Sequence, residues 1–204
     1  MSSPITTNNK SKRLYTLARD LLLTTNDTFA KSFLTDLPSV ESFEERTVTA
    51  SKLSIMSALG DLGPTVPDTA ELVAEVLHSA PDQAWRQPYA SEDFGADFSA
   101  RSGWFPIADR DGPLVMTEGL VEIMLLGGGL KYPMHSHAPE ELYLVLAGKV
   151  WWEAEGEPKA PSWRFAGDVI HHPPHRFHAL TAGDTPVLLL ALWRGGGFEK
   201  PLIA

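Results

Sequence analysis

Two kinds of hydrophobic pattern divide the chain near residue 115. Before it, leucines and phenylalanines recur at helical spacing from Lys12 to Leu37, and a second amphipathic segment begins at Pro67. The stretches 61–67 and 88–103 are rich in Gly, Pro, Ser and Asp, which is typical of loops. We therefore predict a mainly helical extension over residues 1–115, which covers one end or face of the domain that follows.

After residue 115 the pattern changes to short apolar or alternating runs at close intervals. Glycine-bearing stretches such as GGG, AG and AGDTP separate these runs, and no helical pattern lies between them. Such an order is typical of an antiparallel sandwich or barrel. We predict a mainly β domain over residues 116–204, with strands at LVEIMLL, ELYLVLA, KVWWEAE, SWRFA, DVIHH and PVLLLALW.

Composition and charge narrow the classes of function. The 204 residues are 43% hydrophobic, enough for one domain or for one domain with an appendage. The chain contains no cysteine, so any metal must use nitrogen and oxygen ligands. The formal net charge of −9 disfavours nucleic acid and anionic membranes as partners, and it is compatible with a cationic or zwitterionic small molecule. No apolar run approaches the roughly 20 residues of a membrane span, so we expect a cytoplasmic protein.

The stretch GLKYPMHSHAPEELYLVLAG concentrates the candidate chemistry. Side chains alternate between the two faces of a strand, so Glu141 and Tyr143 share one face, which we expect to point inward. The same parity places His135 and His137 on one face of the preceding strand, and residues 138–140 form the bend between the two strands. Two imidazoles and a carboxylate then converge, a ligand set suited to divalent iron, zinc, manganese, cobalt or nickel.

A fourth ligand is expected from a second histidine-rich segment. The sequence GDVIHHPPHRFH, residues 167–178, contains four histidines. A His-x-His pair followed four residues later by Glu is hard to explain as a solvated face. The two segments together therefore predict a metal site inside the β domain.

Both segments resemble the motifs of the cupin superfamily. The first has the spacing Gly-x5-His-x-His-x3-Glu-x6-Gly, and the second has Gly-x5-Pro-x-His-x2-His, with His175 at a position where the family usually has glycine and Ala182 where it usually has asparagine. The resemblance covers about residues 120–193 and implies a double-stranded β-helix, or jelly-roll barrel. It implies one divalent transition metal (Fe, Zn, Mn or Co) inside the barrel and leaves His175 as an extra imidazole near it. The implied ligands are His135, His137, Glu141 and His178.

A narrower resemblance concerns the cupin-type dimethylsulfoniopropionate (DMSP) lyases of marine bacteria. The Glu-x-Tyr of EELY, the KYPMHSH and IHHPPHRFHA segments and a helical N-terminal extension are similar to that family. The resemblance implies cleavage of zwitterionic DMSP to dimethyl sulfide and acrylate, with Tyr143 as the catalytic base. Aromatic faces attract cations, and we expect Tyr132 and Trp193, together with His175, to contact the substrate.

Several alternatives stay open at this point. The barrel could host another metal-dependent reaction, chiefly that of a dioxygenase using ferrous iron and oxygen, or it could bind a small ligand without catalysis. A sensor usually carries a DNA-reading domain, and neither predicted N-terminal helix is strongly basic. The sequence also does not decide which of Trp151 and Trp152 points inward, or whether the chain forms a homodimer.

Overall fold

The computed structural model describes residues 7–197, 199 and 201–204, and its helices all lie in the first half of the chain, before Ser102. Helix α3 begins at Pro67, as predicted, with the proline in the first turn, where its missing N–H leaves no hydrogen bond unmade. The pattern from Lys12 to Leu37 is broken near Asp27, whose carboxylate caps a separate helix by accepting from the Ala30 amide at 2.9 Å. The described α-helices are Thr7–Thr24 (α1), Thr28–Ser32 (α2), Pro67–Ser79 (α3), Ser91–Phe94 (α4) and Ala96–Arg101 (α5). Short 3-10 helices occupy Phe33–Thr35, Val40–Ser42, Ser54–Asp61 and Ala80–Asp82. None of the described helices is long and apolar enough to cross a membrane.

Two facing β-sheets form the rest of the described chain. The six-stranded sheet has the order β2-β1-β3-β10-β5-β8, and the five-stranded sheet has the order β11-β4-β9-β6-β7. The pairing is antiparallel except between β1 and β2. The strands are Ser102–Asp109 (β1), Leu114–Val115 (β2), Gly119–Leu126 (β3), Lys131–Ser136 (β4), Glu140–Ala147 (β5), Lys149–Ala154 (β6), Ser162–Phe165 (β7), Val169–His172 (β8), His178–Ala182 (β9), Val187–Arg194 (β10) and Leu202–Ile203 (β11).

The alternation predicted for the ELYLVLA strand is confirmed. On β5, Leu142 and Leu144 belong to the core between the larger sheet and the helices, whereas Tyr143 and Val145 belong to the core between the two sheets. Glu141 therefore also points into the barrel and is 1% exposed. The predicted fold class, a mainly β jelly-roll barrel with a helical N-terminal extension, is confirmed.

The barrel begins earlier than the boundary predicted at residue 116. Strand β1 pairs antiparallel with β3, from Ser102 opposite Leu126 to Ala108 opposite Val121. All eight residues of β1 are buried, so the strand lacks the polar alternation that marks a half-exposed strand. It also contains Pro106, beside an irregularity in the register, and follows a Gly- and Pro-containing stretch, which together favoured a loop.

The helical extension packs against the outer face of the larger sheet. Leu14 and Leu22 of α1 and Val76 of α3 are fully buried there. The Thr69 hydroxyl donates to the Leu146 carbonyl of β5 at 2.7 Å, which ties α3 to the strand that carries Glu141. The extension thus forms part of the structure that positions the barrel's interior side chains.

Candidate active site

Four polar side chains predicted as metal ligands meet inside the barrel. His135 lies on β4 directly opposite His178 at the start of β9, and Glu141 lies on β5. His137 follows one residue after the end of β4 rather than within the strand. All four side chains are buried. The ligand atoms of the three histidines lie within 4.8 Å of one another, as do those of Glu141, His178 and His172.

Hydrogen bonds to the backbone orient the three predicted histidine ligands. In each ring Nδ1 lies within hydrogen-bond distance of a carbonyl oxygen two residues away, which can only accept, so Nδ1 carries the proton. In the neutral ring the lone pair is then on Nε2, the arrangement that metal-binding histidines use. The pairs are His135 with Pro133 at 2.7 Å, His137 with Pro139 at 2.9 Å and His178 with Arg176 at 2.8 Å.

The carboxylate of Glu141 lies at the centre of the cluster. Its Oε2 atom is 3.2 Å from Nε2 of both His137 and His178, and its Oε1 atom accepts from Nε1 of Trp193 at 2.6 Å. Burial raises the pKa of Glu141, but the charge and hydrogen bond of His137, with a further hydrogen bond from His172, lower it well below its usual value. Glu141 is therefore an ionised carboxylate at neutral pH.

Two of the three predicted histidine ligands, His135 and His178, are held in the neutral form that a divalent metal needs. Burial lowers the pKa of His135 to about 3 and that of His178 to about 4. For His137 burial also lowers the pKa, but the adjacent Glu141 outweighs it and the net shift is upward. Nε2 of His178 is buried and has no hydrogen-bond partner among the described residues. With the proton on Nδ1, this nitrogen can only accept, and the neighbouring carboxylate of Glu141 can also only accept. A cation at this point would satisfy the unpaired atom, so the residues fit a metal ion.

A cavity of about 480 Å³ opens onto this cluster at Glu141. Tyr132, Tyr143 and Trp193 line this cavity; their roles as catalytic base and substrate contacts stay predictions. The Tyr132 ring stacks on His135 at 4.0 Å, and the Trp193 ring lies 4.4 Å from His137, so both aromatic side chains lie against the cluster.

The cavity is acidic. Among the described residues that line it, six carry carboxylates and two carry guanidinium groups. Arg86 bridges two of the carboxylates, with Nη2 at 2.6 Å from Asp109 and 3.0 Å from Glu122. Burial raises the pKa of Glu122 to about 7 despite Arg86. The net negative charge favours a ligand that carries a positive group.

Tyr143 is 3% exposed, and the carboxylate of Glu141 is the charged group with the largest effect on its hydroxyl. Burial raises the pKa of Tyr143 well above its usual value, and the charge of Glu141 raises it further. Tyr143 is consequently a neutral phenol in the cluster as it stands. Added positive charge next to its oxygen would be required to favour the phenolate.

His175 does not join the site. Its side chain is exposed and does not line the cavity, while its backbone N–H donates to the His137 carbonyl at 2.8 Å. The residue has a φ of 61°, in the left-handed region that favours glycine, which explains why glycine is usual at this motif position. The prediction of an extra imidazole from His175 is therefore wrong.

The extra buried imidazole is His172, which the sequence did not distinguish from its neighbours. It lies on β8 directly opposite Glu141, and its Nδ1 is 2.8 Å from Glu141 Oε2. Trp152 points inward and donates to His172, whereas Trp151 lies on the outer face beside exposed Trp163. Tyr89 was also missed; it comes from the N-terminal extension and its hydroxyl hydrogen-bonds that of Tyr132.

The fold and the cluster define a protein of the cupin class, a barrel of two facing sheets with a group of histidines and a glutamate inside. The chain belongs to the dimethylsulfoniopropionate lyase family, whose sequence profile matches residues 33–189.

Individual relatives agree with this assignment. The chain is 35% identical over 119 residues to "Dimethylsulfoniopropionate lyase DddQ" of Ruegeria pomeroyi, a match covering 58% of each chain. It is 29% identical over 109 residues to "Putative dimethylsulfoniopropionate lyase DddL" of Cereibacter sphaeroides, covering 52% of this chain and 44% of the relative. The chain therefore matches less than two thirds of the length of these curated relatives.

Solved structures give wider coverage. A chain from the "Crystal structures of DMSP lyases RdDddP and RnDddQII" superposes with a TM-score of 0.86 at 28% identity, covering 98% of this chain and 100% of the other. The structure of DMSP lyase DddQ from Ruegeria pomeroyi DSS-3 gives a TM-score of 0.73 at 26% identity, covering 92% and 96% of the two chains. Both the helical extension and the barrel are thus similar to those structures.

Proposed function

We propose that this chain is a metal-dependent carbon–sulfur lyase that cleaves DMSP to dimethyl sulfide and acrylate, with Tyr143 as the general base. The observation that carries the proposal is the convergence of three Nε2 lone pairs, the Glu141 carboxylate and the Tyr143 hydroxyl at one acidic cavity. Family membership and the names of the relatives support the choice of substrate.

The four converging side chains are those that would hold the metal. His135, His137 and His178 offer nitrogen ligands, and Glu141 offers oxygen, a set that iron, zinc, manganese and cobalt all accept. When bound, a divalent ion supplies Lewis-acid chemistry: it withdraws charge from the substrate carboxylate and favours the phenolate form of Tyr143.

The cavity can orient a zwitterion by charge. The carboxylate of DMSP would be attracted to a metal ion bound at the cluster, and the dimethylsulfonium group to the acidic and aromatic walls, which include Glu122 and Trp193. A cation near an aromatic face gains about 0.5–2 kcal/mol. The substrate is small relative to the cavity volume of about 480 Å³. Its orientation would therefore be set by the charges at the two ends of the cavity and less by close contact with the walls.

Tyr143 performs the proton transfer in this scheme. Its oxygen accepts the proton from the carbon adjacent to the substrate carboxylate, and the electron pair of that C–H bond forms the double bond of acrylate. The bond between the neighbouring carbon and sulfur breaks, and dimethyl sulfide leaves as a neutral molecule with the bonding electrons. The proton later passes from Tyr143 to solvent, so the reaction needs neither oxidant nor reductant.

The test is product analysis by proton NMR and headspace gas chromatography after separate loading with Fe²⁺, Zn²⁺, Mn²⁺ or Co²⁺. We expect equimolar acrylate and dimethyl sulfide with no oxygen consumption. Dimethylsulfonioacetate, which is one carbon shorter and cannot undergo this elimination, is the matched control substrate and should yield neither product. If no metal form releases dimethyl sulfide, or if turnover consumes oxygen, the proposal is wrong.

A further inference from the structure

We propose that His172 and Trp152 form a hydrogen-bonded pair that positions Glu141, and that His172 is not itself a metal ligand. The proposal rests on the metal-binding role given to Glu141 above. His172 and Glu141 lie on adjacent strands of the larger sheet, whereas Trp152 lies on β6 of the facing sheet. The pair therefore spans the interior between the two sheets.

The donor chemistry of Trp152 fixes the tautomer of His172. The indole N–H can only donate, and it lies 2.9 Å from Nε2 of His172. Nε2 is consequently the accepting nitrogen, and in the neutral ring the proton is on Nδ1. Nδ1 then donates to Oε2 of Glu141 at 2.8 Å. Both nitrogens of His172 are thus used, and neither has a lone pair left for a metal.

This arrangement is the reverse of that in the three proposed ligands. His135, His137 and His178 direct Nδ1 at a backbone carbonyl and Nε2 at the cluster. In His172, Nδ1 faces the carboxylate and Nε2 faces the indole. The distances alone would allow Glu141, His172 and His178 to share an ion, but the indole N–H excludes His172 from that role.

Packing fixes the orientation of the His172 ring. Its side chain is fully buried, and the ring stacks on His178 at 3.6 Å with an angle of 12° between the planes. Trp152 is 3% exposed, so water cannot readily replace the indole as donor. Glu141 then has His172 as a donor to Oε2 and Trp193 as a donor to Oε1. Two fixed donors restrict rotation of the carboxylate. Hydrogen-bond partners that orient a metal ligand in this way increase the affinity of the site for the metal.

The first test measures the tautomer directly in the metal-free protein. Long-range ¹H–¹⁵N correlation spectra of ¹⁵N-histidine-labelled protein should show His172 with the proton on Nδ1. In Trp152→Phe, which keeps an aromatic ring but lacks the N–H, the Glu141 carboxylate should hold the proton on Nδ1, while the ¹⁵N resonance of Nε2 should shift toward that of a nitrogen whose lone pair accepts no hydrogen bond. A wild-type His172 protonated on Nε2, or an Nε2 resonance that takes a metal-bound shift on addition of Zn²⁺, would overturn the proposal.

The second test compares His172→Asn with His172→Leu, which have nearly the same shape but differ in the donor. The Asn amide can replace the Nδ1–H group, so its Kd for Zn²⁺ should stay within about threefold of wild type, whereas Leu should raise the Kd by about 10- to 100-fold. His78→Asn, at an exposed position on α3, is the control and should leave the Kd unchanged. Equal Kd values for the Asn and Leu variants would contradict positioning through the hydrogen bond.

The outcome separates this proposal from the proposed function. The tautomer is determined without metal or substrate, and the Kd without substrate. If the tautomer and the Asn–Leu difference are found but DMSP is not cleaved, only the proposed reaction fails. Circular dichroism establishes that each variant folds; if His172→Leu does not, the wild-type and Trp152→Phe spectra still decide.

Discussion

Replacing Tyr143 by phenylalanine removes one oxygen atom and retains the ring. Tyr143 is 3% exposed and packs edge-on against His172, with ring centroids 5.5 Å apart. Phenylalanine fits the same space, so no cavity is created. The cost to folding should be limited to the polar interactions of the hydroxyl group, about 1 kcal/mol.

The increase in activation free energy caused by Tyr143→Phe should be much larger than this loss of folding stability. A positioned general base contributes roughly 10²- to 10⁴-fold to a rate, which corresponds to about 2.7–5.4 kcal/mol of activation free energy. Metal binding should change little, because Glu141 keeps its hydrogen bond from Trp193 and its close approach to His137 and His178. We therefore expect kcat to fall by two to four orders of magnitude at unchanged metal content.

The assay is the initial rate of acrylate formation at saturating DMSP, with metal content measured by mass spectrometry on the same samples. Phe105→Leu, a buried change on β1 outside the cavity lining, controls for general loss of packing and should keep kcat near the wild-type value. A near-native kcat in Tyr143→Phe would refute Tyr143 as the base. Loss of the metal in that variant would instead show that its hydroxyl holds the site together.

Three further changes test other parts of the site. Glu141→Ala removes the only carboxylate of the ligand cluster among the described residues, and metal analysis should show loss of the bound ion; full retention would contradict the ligand set. Trp193→Phe removes a charge-assisted hydrogen bond worth about 1.5 kcal/mol or more, so the Kd for Zn²⁺ should rise about tenfold, and an unchanged Kd would contradict this role. Glu122 has a folded-state pKa of about 7, raised by burial above its unfolded value near 4.5, so the folded state holds a proton that the unfolded chain has released. Stability of the metal-free protein should therefore decline as pH rises between those values. In urea unfolding, the stability of Glu122→Gln should decline less over this pH range than that of the wild type. An identical pH dependence in both proteins would contradict a raised pKa for Glu122.

The ligand positions were predictable because strand geometry connects sequence spacing directly to a shared face. Glu141 and Tyr143 are two residues apart on β5, and both point inward as predicted. Their pairing with His135 and His178 depended on the resemblance to known motifs. Spacing alone does not say which strands of a barrel are neighbours.

The orientations of other side chains could not be predicted, because the alternation within one strand does not continue across a turn into the next strand. Gly148 adopts a φ of 85° between β5 and β6, so the parity of β5 could not assign Trp152 to the interior. The adjacent histidines of β8 face opposite sides, and only the register with β5 shows that His172 is opposite Glu141. His175 is exposed and has a left-handed backbone, and neither property is signalled by a histidine in the sequence.

We expect the lyase reaction to depend on one metal ion held by His135, His137, Glu141 and His178. Metal-free protein is titrated with Fe²⁺, Zn²⁺, Mn²⁺ or Co²⁺ while dimethyl sulfide release from DMSP is recorded. We predict no release without metal, and a rate that rises in proportion to added metal and reaches a plateau at one equivalent per chain for at least one of the ions. Release by the fully metal-free protein, at a rate that added metal does not change, would contradict the account.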